Sequence, residues 1–74
     1  MNRFKRVIEK ILSDTPVTVR YERPSLVKKD GVVYDEVSGN CSDVWMNVLC
    51  PEKLKVTEID AINDTIVITV DLIR

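Results

Sequence analysis

Few groups in this chain could do chemistry. Glu58, Asp60 and Asp71 fall at strand spacing on one predicted sheet face. Two carboxylates held close can divide acid and base roles when their surroundings push their pKa values apart. The face in question is a solvated one, so the expectation is a structural surface and not a catalytic pair. Cys41 and Cys50 are the candidate nucleophiles. A thiol attacks as thiolate, which requires a cationic setting. The charged neighbours of these two in sequence are Asp43 and Glu52, which oppose that. There is no histidine, so the commonest general acid–base and the commonest metal ligand are missing together. Two cysteines without histidine are too few for a zinc site. Asp35, Glu36 and the run from Val37 to Asp43 supply oxygen atoms, but not at the spacing of a calcium-binding EF-hand loop. Gly31 and Gly39 do not form a phosphate loop. The expectation is a protein that is not an enzyme, with no catalytic residue, cofactor or metal.

What remains is charge and apolar surface. Residues 1–29 hold eight cations against three acids, and residues 30–74 hold three against nine, so +5 faces −6 within a net charge of −1. Such asymmetry directs attention to charged partners. Arg3, Arg6, Lys10, Arg20, Arg23 and Lys28 are the candidate contacts for an anion or a nucleic acid, with Tyr21 and Tyr34 available for stacking. The predicted N-terminal helix carries Arg3, Lys5, Arg6 and Lys10, three of them in about its first turn, where the dipole prefers anions. Against nucleic acid stand a sequence pI near 5.3 and the lack of an RNA-recognition or helix-turn-helix motif. It is the alternative here, not the favoured partner. A further alternative is a small anionic ligand held at a subunit interface with the arginines as clamps.

These residues need elements to hold them. The strongest is the C-terminal stretch from Lys55 to Ile73, two alternating runs around Asn63-Asp64, which tolerate positive φ as a tight hairpin demands. Centring the turn there pairs Ala61 with Ile66, Ile59 with Ile68, Thr57 with Val70 and Lys55 with Leu72. Ile59, Ala61, Ile66, Ile68, Val70 and Leu72 then share one face. Leu54 and Val56 are out of phase with them, which a bulge near Thr57 would repair. Asn2 to Leu12 reads as an amphipathic helix with a stripe of Phe4, Val7, Ile8, Ile11 and Leu12. Val17 to Tyr21 alternates as a half-buried strand. Asp30-Gly31 predicts a hairpin between Leu26-Val27-Lys28-Lys29 and Val32-Val33-Tyr34-Asp35. Val37 to Asp43 reads as a loop. Asp43 to Cys50, apolar on both sides, reads as an inner strand. Such a strand would hold its ends roughly 25–30 Å apart. That excludes a disulfide between Cys41 and Cys50, whose Cα atoms would have to lie within about 7 Å.

The fold class expected is α+β: one N-terminal amphipathic helix on an antiparallel sheet of five or six short strands ending in the long hairpin. Residues 1–74 form one small domain. A chain this short buries only about 60 % of its unfolded surface, so its stability is thin. Self-association would remedy that, and Trp45, with Met46 and Val44 beside it, is the expected protein interface. The opposite charges of the two halves suit a head-to-tail contact. The expected function is a non-enzymatic protein-interaction or assembly module, a homo-oligomer or a binder of another protein. The compact build resembles small accessory proteins of phages and mobile elements, a likeness that no motif carries. With no long apolar run and with free thiols, the expectation is no membrane and a cytoplasmic location.

Overall fold

The computed structural model describes residues 2–23, 28–29, 32–33 and 35–73, with the backbone alone at residues 2, 28–29 and 32–33. The elements run β1 (Asn2–Arg3), α1 (Phe4–Ile8), β2 (Pro16–Tyr21), β3 (Lys28–Lys29), β4 (Val32–Val33), β5 (Glu36–Asn40), α2 (Cys41–Asn47), a single 3₁₀ turn (Pro51–Lys53), β6 (Leu54–Ile62) and β7 (Thr65–Leu72). Four full strands and the two-residue β1 make one sheet in the order β1-β6-β7-β2-β5. The fold is α+β, with two helices against one face of a mixed sheet.

The β6–β7 hairpin anchors it. Asn63 and Asp64 have φ of 50° and 63°, the paired positive values of a type I′ turn. Ala61 pairs with Ile66 and Ile59 with Ile68, as the turn predicts. The register then shifts between Val56 and Glu58, so Val56 meets Val70 and Leu54 meets Leu72. This bulge corrects the pairings expected for Thr57 and Lys55. Its effect is to bring Leu54 and Val56 onto the core face, where Leu54 is fully buried. Thr57, the extra residue, donates its hydroxyl to the Thr69 carbonyl.

β2 lies between β7 and β5, antiparallel to β5 but parallel to β7, with Val17 opposite Ile66 and Val19 opposite Ile68. The sheet is therefore mixed and not purely antiparallel. Alternation reveals which face a strand buries; it carries no information about the direction of the neighbour. Val17, Val19 and Tyr21 are buried as the alternation predicts. β3 and β4 pair as a separate two-stranded ladder, Lys28 with Val33 and Lys29 with Val32. The Asp30-Gly31 turn, Leu26-Val27, Pro24, Tyr34 and the side chain of Lys28 lie outside the described residues.

Two expectations are corrected here. Residues 43–50 are not a strand, and 37–43 is not a loop: β5 runs through Asn40 and α2 follows at once. Asn40 caps the helix by accepting from the Asp43 N–H at 3.0 Å. The Cys41 and Ser42 N–H groups donate to the Thr15 and Ser13 carbonyls. The first three orphan donors of α2 are thereby satisfied. Cys41, Val44 and Val48 form the buried stripe, at helical spacing. The N-terminal helix is also shorter than expected. Asn2–Arg3 pair with Val56–Lys55 as a sheet edge, and the last turn tightens into i→i+3 bonds, Lys10 to Val7 and Ile11 to Ile8. Leu12 falls off the stripe and is exposed.

The core is one cluster: Phe4 and Ile8 from α1, Cys41 and Val44 from α2 with Val48 after it, and Val17, Val19, Tyr21, Leu54, Ile68 and Val70 from the sheet. Tyr21 reaches through it to accept the Leu49 N–H at 3.0 Å, pinning the chain that leaves α2. Burial raises the phenol's pKa. The opposite sheet face is polar. Thr18 and Ser38 share a hydrogen bond of 3.0 Å, and Arg20 pairs with Glu36 at 3.4 Å.

Candidate functional site

The residues expected at an interface separate. Val44 is fully buried beneath α2 and belongs to the core. Trp45 stacks on Phe4 with ring centroids 6.1 Å apart and planes 23° apart, yet remains 37 % exposed. Met46, one position on, is 82 % exposed. Consecutive helical residues are about 100° apart, so Val44, Trp45 and Met46 point successively inward, sideways and outward. The interface residues of the sequence reading are thus carried by a helix, and only two of the three reach the surface.

Trp45 forms one wall of an open groove between α1 and α2. Ile8, Glu9, Ile11, Ser13, Cys41 and Ser42 complete it, and its volume is about 220 Å³. The lining is mainly apolar. Cys41 lies in its floor, with Sγ 3.7 Å from the Ile8 carbonyl and 3.8 Å from the Ile11 carbonyl. Both contacts have the thiol donating, and burial pushes its pKa up. The thiol is therefore a packing group that ties α2 to the end of α1. Cys50 is exposed, and both cysteines are free. The disulfide is absent although the strand that was expected to exclude it is a helix. One partner sits in the core and the other on the surface.

The basic contacts also separate. Arg20 is paired with Glu36. Arg23 grips Asp71 with two hydrogen bonds, Nε to one carboxylate oxygen at 3.0 Å and a terminal nitrogen to the other at 2.5 Å. Arg23 is thus used within the fold, while the Arg20 pair lies at the surface. Arg3, Arg6 and Lys10 are exposed on and beside α1 together with Lys5, and the described ion pairs include none of them. Lys5, Arg6, Glu9 and Lys10 line a shallow basin. Glu9 also lines the apolar groove, so the basin and the groove adjoin.

The three carboxylates share the polar face of the hairpin, at different positions along it. Asp71 sits opposite Lys55 in the ladder and is held by Arg23, which keeps its carboxyl below the usual carboxylate range. Glu58 is opposite Thr69 and Asp60 opposite Val67, further along the hairpin. Among the described residues no three histidine, cysteine or acidic side chains converge on a common metal position, and no helix is long and apolar enough to cross a membrane.

A feature missed from sequence is the overhang of the hairpin. Ile59 is 53 % exposed and Ile62 47 % exposed. β1 covers the edge of β6 only at Lys55 and Val56, so from Thr57 onward that edge has no strand beside it in the described sheet. The signal was present in the lengths: β6 has nine residues where β2 has six. A nine-residue strand outruns the helical layer that covers it.

The chain matches no protein-family model, no curated protein and no solved structure.

Proposed function

We propose that this chain is a non-enzymatic protein-interaction or assembly module that associates with copies of itself through the groove between α1 and α2. The observation that carries this reading is the position of Trp45. It is stacked on a core phenylalanine and so held rigid, with over a third of its surface open beside an apolar groove. Rigid, partly desolvated tryptophans are the typical anchors of protein interfaces. Leu12, Met46, Ile59 and Ile62 are further large apolar side chains left at the surface. A domain of 74 residues gains stability by covering them. The free thiols suit a reducing compartment such as the cytoplasm, and a small accessory protein of an assembly is the matching role.

The test is solution mass by light scattering on a sizing column, for the wild type and for Met46→Glu and Trp45→Ala. The wild type is expected as an oligomer, and Met46→Glu as a folded species of lower mass. A wild-type monomer at micromolar concentration overturns the reading.

A second reading follows from the α1 cations. Lys5, Arg6 and Lys10 line one basin with Glu9, and Arg3 is exposed beside α1; nucleic acid or a small anion at a subunit interface is the alternative occupant. Nucleic-acid binding would weaken steeply with salt. Of the other expected contacts, Arg23 is held by Asp71, whereas Arg20 stays exposed in a surface pair with Glu36.

A further inference from the structure

We infer that the groove and its basic rim receive the acidic hairpin tip of a second copy of this chain. This rests on the self-association reading and names both halves of the contact. The receiving half is an apolar hollow beside a basic basin, with Lys5, Arg6 and Lys10 against the single acid Glu9. The presented half is the tip of β6–β7. Within residues 57–66 it carries Glu58, Asp60 and Asp64 and no lysine or arginine.

The two halves match in kind. Ile62 is paired with Thr65 next to the turn, and lies on the same sheet face as Asp60 and Glu58. Ile59 and Ala61 are on the other face of the same ribbon. All five of these residues are exposed, as is Asp64. One face of the tip thus presents Ile62 beside Glu58 and Asp60, and the groove is an apolar hollow beside bases. A cavity of about 150 Å³ in an apolar site is enough to admit a benzene ring, so a hollow of about 220 Å³ admits the side chain of Ile62. Charged rims of opposite sign steer the encounter and fix its register.

The alternative of pairing two copies through the free β6 edge is opposed by the same acids. Antiparallel self-pairing centred on Ile59 sets Glu58 opposite Asp60. Centring on Asp60 sets that carboxylate against its own copy. Like charges directly across a ladder are destabilising, and charged edges are a common guard against such pairing. The partner of the tip is therefore a basic surface, and this chain displays one on α1. Two different patches meeting in this way close as a reciprocal dimer, close as a ring, or extend as a filament.

The experiment is a charge exchange in the full chain. Variant one is Glu58→Lys with Asp60→Lys; variant two is Arg6→Glu with Lys10→Glu. All four positions are exposed, and circular dichroism of each variant checks the fold. Each variant alone is expected to self-associate at least about tenfold more weakly than wild type, because like charges then face each other. An equimolar mixture is expected to recover a heteromeric complex, because the basic tip of one fits the acidic rim of the other. If the wild type is oligomeric but either variant keeps its mass and affinity, the assignment of surfaces is wrong while self-association stands. If both weaken and the mixture stays monomeric, the surfaces do not contact each other and the inference fails. If the wild type is a monomer, both readings fail. Nucleic acid is separated by variant two: binding lost there but kept in variant one, with a monomeric wild type, assigns α1 to that partner instead.

Discussion

Arg23 holds Asp71 in a two-point grip, Nε on one carboxylate oxygen at 3.0 Å and a terminal nitrogen on the other at 2.5 Å. The residues are 48 apart in sequence. One follows the end of β2 and the other is near the end of β7, the two parallel neighbours at the centre of the sheet. The planar fork of arginine suits a carboxylate in this way, and lysine would not reproduce it. Asp71 also accepts the Leu72 N–H at 2.9 Å. The grip fastens the open end of a parallel pair that no turn connects.

The grip sets a pH dependence. The hydrogen bonds from Arg23 hold the Asp71 carboxyl below its ordinary value of 3.8. A carboxylate whose folded pKa is depressed contributes stability above its unfolded pKa, and that contribution is lost as the pH falls through the folded value. Asp71→Asn is therefore expected to be less stable than wild type at pH 7. The gap should close as the pH is lowered from about 4 toward 2. Urea unfolding midpoints of both proteins across that range measure it. A gap that stays constant with pH would show that Asp71 contributes through shape and not through charge.

The two thiols should behave differently. Cys50 is exposed, whereas Cys41 is buried, donates to the Ile8 and Ile11 carbonyls and has its pKa raised. Reaction requires thiolate and access. A disulfide-exchange reagent at pH 8 is expected to titrate one thiol promptly and the second only at the rate of opening, at least about tenfold slower. In denaturant both should react together. Two equal fast phases in the native protein would contradict the packing of α2 on α1.

Asn40 is expected to matter more than an exposed residue at the end of an edge strand should. Its side chain accepts the Asp43 N–H, and removing such a cap costs about 1 kcal/mol. Asn40→Ala should lower stability by that amount, and Asn40→Asp should spare most of it. Chemical denaturation checks both. Equal losses in the two variants would point to the Asn40 amide nitrogen instead of the capping oxygen.

The same segment shows where the sequence was ambiguous. Val44 and Val48 are four apart, and four is both an even number and about one helical turn. Those two residues share a face in a strand and also in a helix. Counting Met46 with them suggests a strand; counting Cys41 suggests a helix. The structure decides through exposure, with Cys41 buried and Met46 open. The available tie-breaker was the Asn40-to-Asp43 cap, hidden in a polar run that resembles a loop. By contrast, the β6–β7 turn, its first pairs and the burial of β2 are local properties, and they were legible. The parallel partner of β2 was not, because nothing within a strand records the direction of its neighbour. Trp45 and Met46 were chosen as interface candidates by residue type alone, and what the structure adds is that both reach the surface. The pairing of Arg20 with Glu36 and of Arg23 with Asp71 depends on contacts between distant segments.

The ambiguity at 41–48 yields a final prediction, because it separates core from interface among consecutive residues. Val44 is fully buried and Met46 is 82 % exposed. Truncating a buried valine loses the transfer of two carbons and leaves a small cavity, so Val44→Ala should cost about 2 kcal/mol. Met46→Ala removes side-chain surface that already faces water in the isolated chain, so its effect on monomer stability should stay within about 0.5 kcal/mol. Association should show the opposite order. Measured by sedimentation under conditions where both variants are folded, Val44→Ala should retain the oligomer, and Met46→Glu should lose most of it. If residues 43–50 were a strand with Val44 and Met46 on one face, the two alanine variants would cost similar amounts. The comparison therefore tests the helix and the interface in one series, with unfolding free energy reading the first and solution mass the second.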